Sequence, residues 1–142
     1  MKNPFFTISL DFELFWGVAD VTTIASYGPK ILGGRKAIPE ILTLFKNYNI
    51  HATWGTVGMA SFENKKDLMN YLPDIKPCYN NPNINPYDHL KSVGTNEHDD
   101  PYHFGYSLLR QITDVEGMEI GSHSFSHFYC LENNNKDAFK SD

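Results

Sequence analysis

The feature that most constrains this chain is the order in which short apolar runs and helical segments alternate along it. Residues Phe5 to Leu10, Ile50 to Val57 and Met118 to Ser122 have the length and composition of short strands. Segments with apolar residues at helical spacing separate these runs. Because parallel strands are joined by crossover connections that are usually helical, this order predicts an α/β fold with a parallel sheet.

Three segments carry apolar residues at spacings of three and four, as on one face of a helix. They are Arg35 to Tyr48, Glu63 to Leu72, and a third segment that contains Phe104, Leu108, Leu109 and Ile112. Pro39 is expected in the first turn of the first helix, where a missing N–H costs little, and Asn49 is expected to end that helix. Asp100 is expected to cap the third helix.

Two segments are predicted as connections rather than core elements. The first, Tyr27 to Gly34, is rich in glycine. The second is a loop-rich excursion at about residues 73–103, with five prolines between Pro73 and Pro101 and many Asn, Asp and Tyr residues. The histidines in or beside this excursion are expected on the surface, and they are His89, His98 and His103.

Charged and imidazole side chains stand where the predicted strands end. Asp11 and Glu13 follow the first strand, and His123 follows the third. In parallel α/β folds, sites gather at the carboxyl ends of the strands. Two carboxylates two residues apart on a strand point to the same side, and burying them together requires a cation or a proton. A solvated strand end without a function is the alternative for this pair taken alone.

His123 and His127 have the i, i+4 spacing that places two imidazoles on one face of a helical turn. A surface or capping role is the alternative for this pair taken alone. Together with one of the two carboxylates, the pair makes a two-His, one-carboxylate ligand set that leaves positions open for water and substrate. The other carboxylate is then placed to act as a general base. The combination predicts a divalent-metal hydrolase site.

Three stretches resemble the polysaccharide deacetylases, the NodB-homology or carbohydrate esterase family 4 group. Ser9-Leu-Asp-Phe-Glu13 and the following Leu-Phe-Trp-Gly17 are similar to the first motif of that family, although its commoner form is T-F-D-D. His51 to Val57 resembles the second strand of the family. Glu119 to His127 is similar to its metal-binding H-[ST]-x-x-H motif and the residues that lead into it. The resemblance extends from about Phe5 to Leu131.

The resemblance implies a deformed (β/α) barrel that removes acetyl groups from N- or O-acetylated sugars or polysaccharides. Carried over by position, Asp11 matches the catalytic base, whereas Glu13, His123 and His127 match the metal ligands. Zinc is the usual metal of the family, and other divalent cations also serve. Trp16 and Gly17 are expected near the substrate groove.

The family's barrel also takes an arginine, an aspartate and a final histidine, the general acid, from later strands. No His or Arg follows His127, and residues 132–142 give no strand signal. Residues 1–142 are therefore interpreted as a single incomplete deacetylase domain, the first half of the barrel, which is expected to self-associate through an open sheet edge. A catalytically incomplete metal- and glycan-binding fragment, or another metal-dependent sugar hydrolase on an α/β barrel, are the alternatives.

Composition excludes several other classes. Twelve Lys and Arg against seventeen Asp and Glu give a formal charge of −5, and the basic stripe of a nucleic-acid-binding protein is missing. No apolar run has the length of a membrane span. The N-terminal residues do not have the pattern of a signal peptide, and Cys78 and Cys130 are interpreted as reduced thiols. The sequence therefore predicts a cytoplasmic protein.

Overall fold

The computed structural model describes residues 5–132 and 135–142, and a parallel three-stranded sheet lies at its centre. The strands are β1 (Ser9–Phe12), β2 (Ala52–Thr56) and β3 (Met118–Ser122), in the order β1-β2-β3. Both pairs of neighbouring strands are parallel. The predicted α/β class, the parallel sheet and the bounds of β3 are confirmed.

The first strand lies further along the chain than its apolar run predicts. Phe5 and Phe6 are 93% and 89% exposed, and β1 pairs with β2 only from Ser9 to Phe12. The prediction of a buried strand over Phe5 to Leu10 is therefore wrong at both ends. Pairing with β2 determines where β1 begins and ends, and Asp11 is the third residue of β1.

The first helix, α1 (Ile24–Asn47), is longer than predicted and contains the segment that was expected to be a connection. Tyr27 to Gly34 is helical, and Pro39 lies in the helix interior rather than in its first turn, so both predictions are wrong. A continuous stripe of buried side chains outweighs the poor helix propensity of glycine and proline. The stripe consists of Gly28, Ile31, Ile38, Leu42 and Phe45.

Both ends of α1 have capping residues. The Thr23 hydroxyl accepts a hydrogen bond from the N–H of Ser26, and the Thr23 N–H donates to the Ser26 hydroxyl, which makes a capping box. Asn49, the predicted stop, has a φ of 51° just after the helix. Asparagine tolerates this left-handed conformation better than most residues, so the predicted end of α1 is confirmed.

The remaining helices are short. They are α2 (Lys65–Asn70), α3 (Pro86–His89), α4 (Tyr106–Thr113) and α5 (Lys136–Ser141), with 3₁₀ turns at Gly58–Ser61 and Pro82–Ile84. The predicted helices that correspond to α2 and α4 are confirmed. Asp100 does not cap α4, which begins after Gly105; it accepts hydrogen bonds from the N–H groups of Tyr102 and His103 instead.

The excursion at residues 73–103 is rich in loops, as predicted, but it also supplies core residues. Tyr87, Leu90 and Val93 belong to the hydrophobic cluster that α1, α4 and the sheet share. The expectation that this segment lies outside the core is therefore wrong. The prolines of the segment limit regular structure, but they do not keep its apolar side chains out of the interior.

Two further features concern the surfaces of the fold. Among the described residues, β1 and β3 each pair with β2 alone, so each has one unpaired edge. Self-association through such an edge stays a prediction. No helix of the described ranges is both long enough and apolar enough to cross a bilayer.

Candidate metal centre

The register of the sheet brings the predicted ligands together. Phe12 pairs with Thr56, and Thr56 pairs with Ser122, so the three strands end at the same level. Glu13 is the first residue after β1, and His123 is the first residue after β3. The two side chains therefore flank the end of the central strand, although they lie 110 positions apart in the sequence.

Glu13, His123 and His127 form a cluster whose ligand atoms all lie within 4.8 Å of one another. The Glu13 Oε2 atom is 3.6 Å from His123 Nε2 and 3.3 Å from His127 Nε2. Two ligands of a tetrahedral zinc ion, with bonds of about 2.0–2.1 Å, stand about 3.3–3.4 Å apart. The two distances and the nitrogen and oxygen donors thus fit a small divalent cation held by these three residues.

The side chains of this cluster are partly accessible. Glu13 is 26% exposed, His127 is 25% exposed and His123 is 36% exposed. Three protein ligands with access to solvent leave coordination positions for water and substrate, whereas a structural zinc site usually has four protein ligands. Within the part of the chain that the structure describes, the cluster therefore lacks the fourth protein ligand that a structural zinc site usually has.

Left-handed backbone is concentrated around the cluster. Among the described residues other than glycine, positive φ values occur at Leu14, Asn49, Ser124 and His127. Asn49 ends a helix, but the other three lie at or next to a residue of the cluster. Such conformations cost free energy and persist where the surroundings impose them, often at functional sites. The backbone thus concentrates its strain where the ligand side chains converge.

The two histidines do not lie on a helical turn, so that prediction is wrong. Residues 123–127 form an irregular bend instead. The His123 N–H donates to the Thr56 carbonyl at 2.9 Å, and the Met59 N–H donates to the Phe125 carbonyl at 2.8 Å. Because these backbone groups bond to other segments, the bend brings the two imidazoles together with their ring centroids 5.1 Å apart.

The charges around the cluster favour a cation. The hydrogen bond that His127 donates to Glu13 raises the pKa of His127 against the effect of burial, and the negative charges of Glu13, Asp20 and Asp11 raise it further. The same hydrogen bond lowers the pKa of Glu13, although burial opposes this shift. A proton on His127 and a metal ion would both neutralise the negative charge around the cluster, so they compete for this site.

Asp11, the predicted base, lies beside the cluster but is not one of its three members. Its Oδ1 atom and the Cβ of His123 are 3.3 Å and 3.8 Å from the point where a Gly55 side chain would begin. Gly55 therefore leaves open the space between Asp11 and His123. Asp11 is exposed, and its negative charge is near enough to contribute to the raised pKa of His127.

Trp16 and Gly17, which were predicted to lie near a substrate groove, belong to the turn that follows Glu13. Trp16 is 1% exposed, and its indole N–H donates to the His103 carbonyl at 2.9 Å, so its side chain faces the interior rather than a groove. A Cβ atom on Gly17 would lie 2.0 Å from the Glu13 Cδ atom. Gly17 thus makes room for the carboxylate, and substrate contact by its backbone stays a prediction.

A buried pair that the sequence did not predict supports the turn after Glu13. His103, expected on the surface, is 2% exposed, and its Nδ1 atom is 2.8 Å from Asp100 Oδ2. Its ring contacts those of Phe15 and Trp16 edge to face. The Asp100-x-x-His103 spacing is the only sequence signal, and burial by distant aromatic residues cannot be read from it.

Acidification is expected to remove the stabilisation that Asp100 provides. Burial raises the pKa of Asp100, but hydrogen bonds from His103 and Gly94 outweigh it and leave the pKa below its ordinary value. Asp100→Asn is expected to lower the free energy of unfolding at pH 7 by about 1–3 kcal/mol. The difference from the parent should shrink as the pH falls below about 4, because the carboxylate that confers the stability becomes protonated.

Urea unfolding of parent and variant between pH 7 and pH 3 measures this effect. Asp74→Asn, at an exposed position of the same excursion, is the matched control and should change the free energy of unfolding little at any pH. A constant difference between the parent and Asp100→Asn across this range would contradict the ionic role of Asp100.

The His98 and His51 side chains lie away from the cluster. His98 is exposed, as predicted, and His51 lies beside Gly117 at the opposite end of the sheet from the strand ends that carry the cluster. Tyr129, which the sequence analysis did not single out, packs edge to face on His127 with ring centroids 5.5 Å apart. Burial and a hydrogen bond to Asp20 raise the pKa of Tyr129, so its hydroxyl stays protonated next to the cluster.

Comparison with protein-family models, with curated proteins and with solved structures gives no match for this chain. The geometry of the cluster and the sequence motifs are therefore the grounds on which a function can be proposed.

Proposed function

We propose that this chain is a metal-dependent hydrolase of the polysaccharide deacetylase type, acting on acetylated sugars. The observation that carries the proposal is the convergence of Glu13, His123 and His127 at the ends of two parallel strands, with Glu13 Oε2 3.6 Å and 3.3 Å from the two imidazole Nε2 atoms. The order β1-β2-β3 is compatible with the first part of a NodB-type (β/α) barrel. That particular barrel is part of the proposal.

Glu13, His123 and His127 would hold the metal, and zinc suits two imidazoles and one carboxylate. When bound, such an ion lowers the pKa of water to about 7 and polarises an acyl carbonyl group. Asp11, an exposed residue beside the cluster, would take the proton from the attacking water. The protein thus supplies ligands and a base within one small region.

A groove lies beside this region, and its lining includes the two carboxylates but neither His123 nor His127. It has a volume of about 320 Å³ and runs between β1 and α1. Asp11 and Glu13 are among its lining residues, as are Tyr27 and Lys30 of α1. Apolar walls with a few polar groups at one end are typical of sites for small organic ligands. A sugar residue whose acetyl group faces Asp11 and Glu13 would fit this arrangement.

One observation favours the second candidate, a module that binds metal and glycan without turnover. A deacetylase needs an acid to protonate the leaving amine. Outside the cluster, Arg35 pairs with Glu97 and His103 pairs with Asp100, so neither is free to serve as this acid. His51 lies at the wrong end of the sheet. Loss of a positioned acid costs about 10²–10⁴-fold in rate.

Acetate release from N-acetylated chitooligosaccharides tests the proposal. The zinc-loaded protein is expected to release acetate, and Asp11→Asn is expected to lower the rate by about 10²–10⁴-fold while it keeps its metal. Glu40→Gln, at an exposed position of α1, is the matched control and should release acetate at the parental rate.

Three results separate the candidates. Acetate release that depends on zinc and on Asp11 supports the hydrolase. Binding of zinc and saccharide by the parent without acetate release supports the binding module. A parent chain that binds no divalent metal overturns both candidates.

A further inference from the structure

The bend that carries the two histidine ligands is held in a conformation that its own residues do not favour. Ser124 and His127 have φ values of 58° and 59°, in the left-handed region where residues other than glycine are uncommon. The bend has no helical or strand hydrogen-bond pattern of its own. Its geometry must therefore be imposed by groups outside it.

One side of the bend is fixed by the backbone around the end of β2. The His123 N–H donates to the Thr56 carbonyl at 2.9 Å. The carbonyl groups of Ser124 and Phe125 accept from the N–H groups of Gly58 and Met59 at 3.0 Å and 2.8 Å. These bonds hold the first half of the bend against the sheet, but they leave the N–H groups of Phe125 and Ser126 to be satisfied from elsewhere.

The carboxylate of Asp142, which follows α5, supplies the missing acceptors. Its Oδ1 atom accepts from the N–H groups of Phe125 and Ser126 at 3.0 Å and 3.1 Å. Its Oδ2 atom accepts from the Ser126 hydroxyl and, at 2.7 Å, from the Tyr87 hydroxyl. One side chain thus receives four hydrogen bonds, three of them from the residues between the two histidines.

The surroundings of this carboxylate are buried and ordered by its partners. Ser126 is fully buried, and Tyr87 is 7% exposed within the hydrophobic core. Burial and the neighbouring Asp142 carboxylate raise the pKa of Tyr87, so its hydroxyl remains a donor. Charged acceptors make shorter and stronger hydrogen bonds than neutral ones, so a carboxylate suits this position better than an amide.

We infer that Asp142 is a positioning residue for the metal centre, and that it acts by holding the backbone between His123 and His127 in the bend that brings their imidazoles together. The inference rests on the proposed function, because it presupposes that these imidazoles bind a metal. Asp142 itself does not belong to the ligand cluster. Its effect on the metal is transmitted through the N–H groups of Phe125 and Ser126 and the side chain of Ser126.

Metal affinity and coordination geometry, measured with Zn²⁺ and Co²⁺ alone, test this role. Asp142→Ala is expected to weaken Zn²⁺ binding by about 10–100-fold, the range typical of residues that orient metal ligands. It should also alter the visible absorption spectrum of the Co²⁺ form, because the two imidazoles no longer keep their relative positions. Asp142→Asn keeps one oxygen for the two N–H groups and should retain most of the affinity.

Asp137→Ala is the matched control, since Asp137 is an exposed acid in the first turn of α5, the helix that Asp142 follows. It should leave both the Zn²⁺ affinity and the Co²⁺ spectrum unchanged. Thermal unfolding without metal shows whether each variant is folded. If Asp142→Ala is not, Tyr87→Phe and Ser126→Ala replace it, since each removes one hydrogen bond to the carboxylate, and each should weaken binding to a smaller extent.

The possible results are distinct. The inference is supported if folded Asp142→Ala, or both replacement variants, bind Zn²⁺ more weakly while Asp137→Ala keeps the parental affinity. Parental affinity and spectrum in the folded Asp142 variants, or in both replacements, overturn it and leave the metal centre standing. If the parent itself takes up neither Zn²⁺ nor Co²⁺, the proposed function fails and the inference fails with it.

Discussion

The purified protein, equilibrated with Zn²⁺, is expected to carry about one divalent ion per chain, and the double variant His123→Ala/His127→Ala is expected to carry none. The two imidazoles supply two of the three protein ligands that the structure brings within 4.8 Å of one another. A single partly exposed carboxylate, which would remain in the variant, binds zinc too weakly to survive removal of unbound metal. Metal analysis after desalting measures the stoichiometry.

The matched control is the double variant His51→Ala/His98→Ala, which removes the same number of imidazoles. Both side chains are exposed, and neither belongs to the cluster. This control should keep the parental stoichiometry, since it changes the histidine content but not the site. Stoichiometric metal in His123→Ala/His127→Ala would contradict the assignment of the ligands, and loss of metal in the control would indicate adventitious binding to surface histidines.

The convergence of the cluster could be predicted because it depends on few features of the chain. A short strand followed by Glu13 and another followed by His123 are enough, once the sheet is parallel and the strand ends coincide. Strand pairing aligns Phe12, Thr56 and Ser122. Although the first strand was predicted to begin and end too early in the sequence, Glu13 still lies near its end. Topology thus compensates for errors in element boundaries.

The conformation of the histidine bend could not be predicted in the same way. Spacing of four residues indicates a helical turn, but the bend is held by the backbone around Thr56 and Met59 and by the carboxylate of Asp142. These partners are distant in sequence, and their contribution outweighs the local preference. The same reason explains His103, whose burial depends on rings of Phe15 and Trp16 more than eighty residues away.

The full length of helix α1 could not be predicted from the sequence either. Glycine and proline between Tyr27 and Pro39 are unfavourable in isolated helices, so local propensity indicates a connection there. In the fold, Gly28 lies so close to Tyr102 that a Cβ atom would be 2.9 Å from its ring, and Ile31 is buried in the core. Tertiary packing therefore extends the helix through residues that would interrupt it in a peptide.

Gly17→Ala is expected to weaken metal binding by about 10–100-fold while the protein stays folded. A Cβ atom at this position would lie 2.0 Å from Glu13 Cδ and 2.3 Å from each carboxylate oxygen. The clashing atoms are the end of a flexible side chain, so Glu13 can swing away at little cost to stability. Metal affinity falls instead, because the displaced Glu13 carboxylate no longer lies close to His123 and His127.

Gly33→Ala is the matched control, because nothing lies within 4 Å of the Cβ atom it would add and Gly33 is an exposed residue of α1. It should keep the parental metal affinity and raise the free energy of unfolding by about 0.5–1 kcal/mol, as alanine is the better helix former. Titration with Zn²⁺ in competition with a chelator measures the affinities, and urea unfolding of the metal-free proteins measures the stabilities.

A double-mutant cycle with Glu13→Ala distinguishes displacement of the carboxylate from a general disturbance of the turn. If Gly17→Ala acts by moving the Glu13 carboxylate, it should cause little further loss of affinity once that carboxylate has been removed, so the two effects are not additive. Equal losses from Gly17→Ala in both backgrounds would mean that the turn from Glu13 to Gly17 affects the histidines directly. The cycle thus tests whether Glu13 is the carboxylate that binds the metal, because the three atoms nearest to the added Cβ all belong to Glu13.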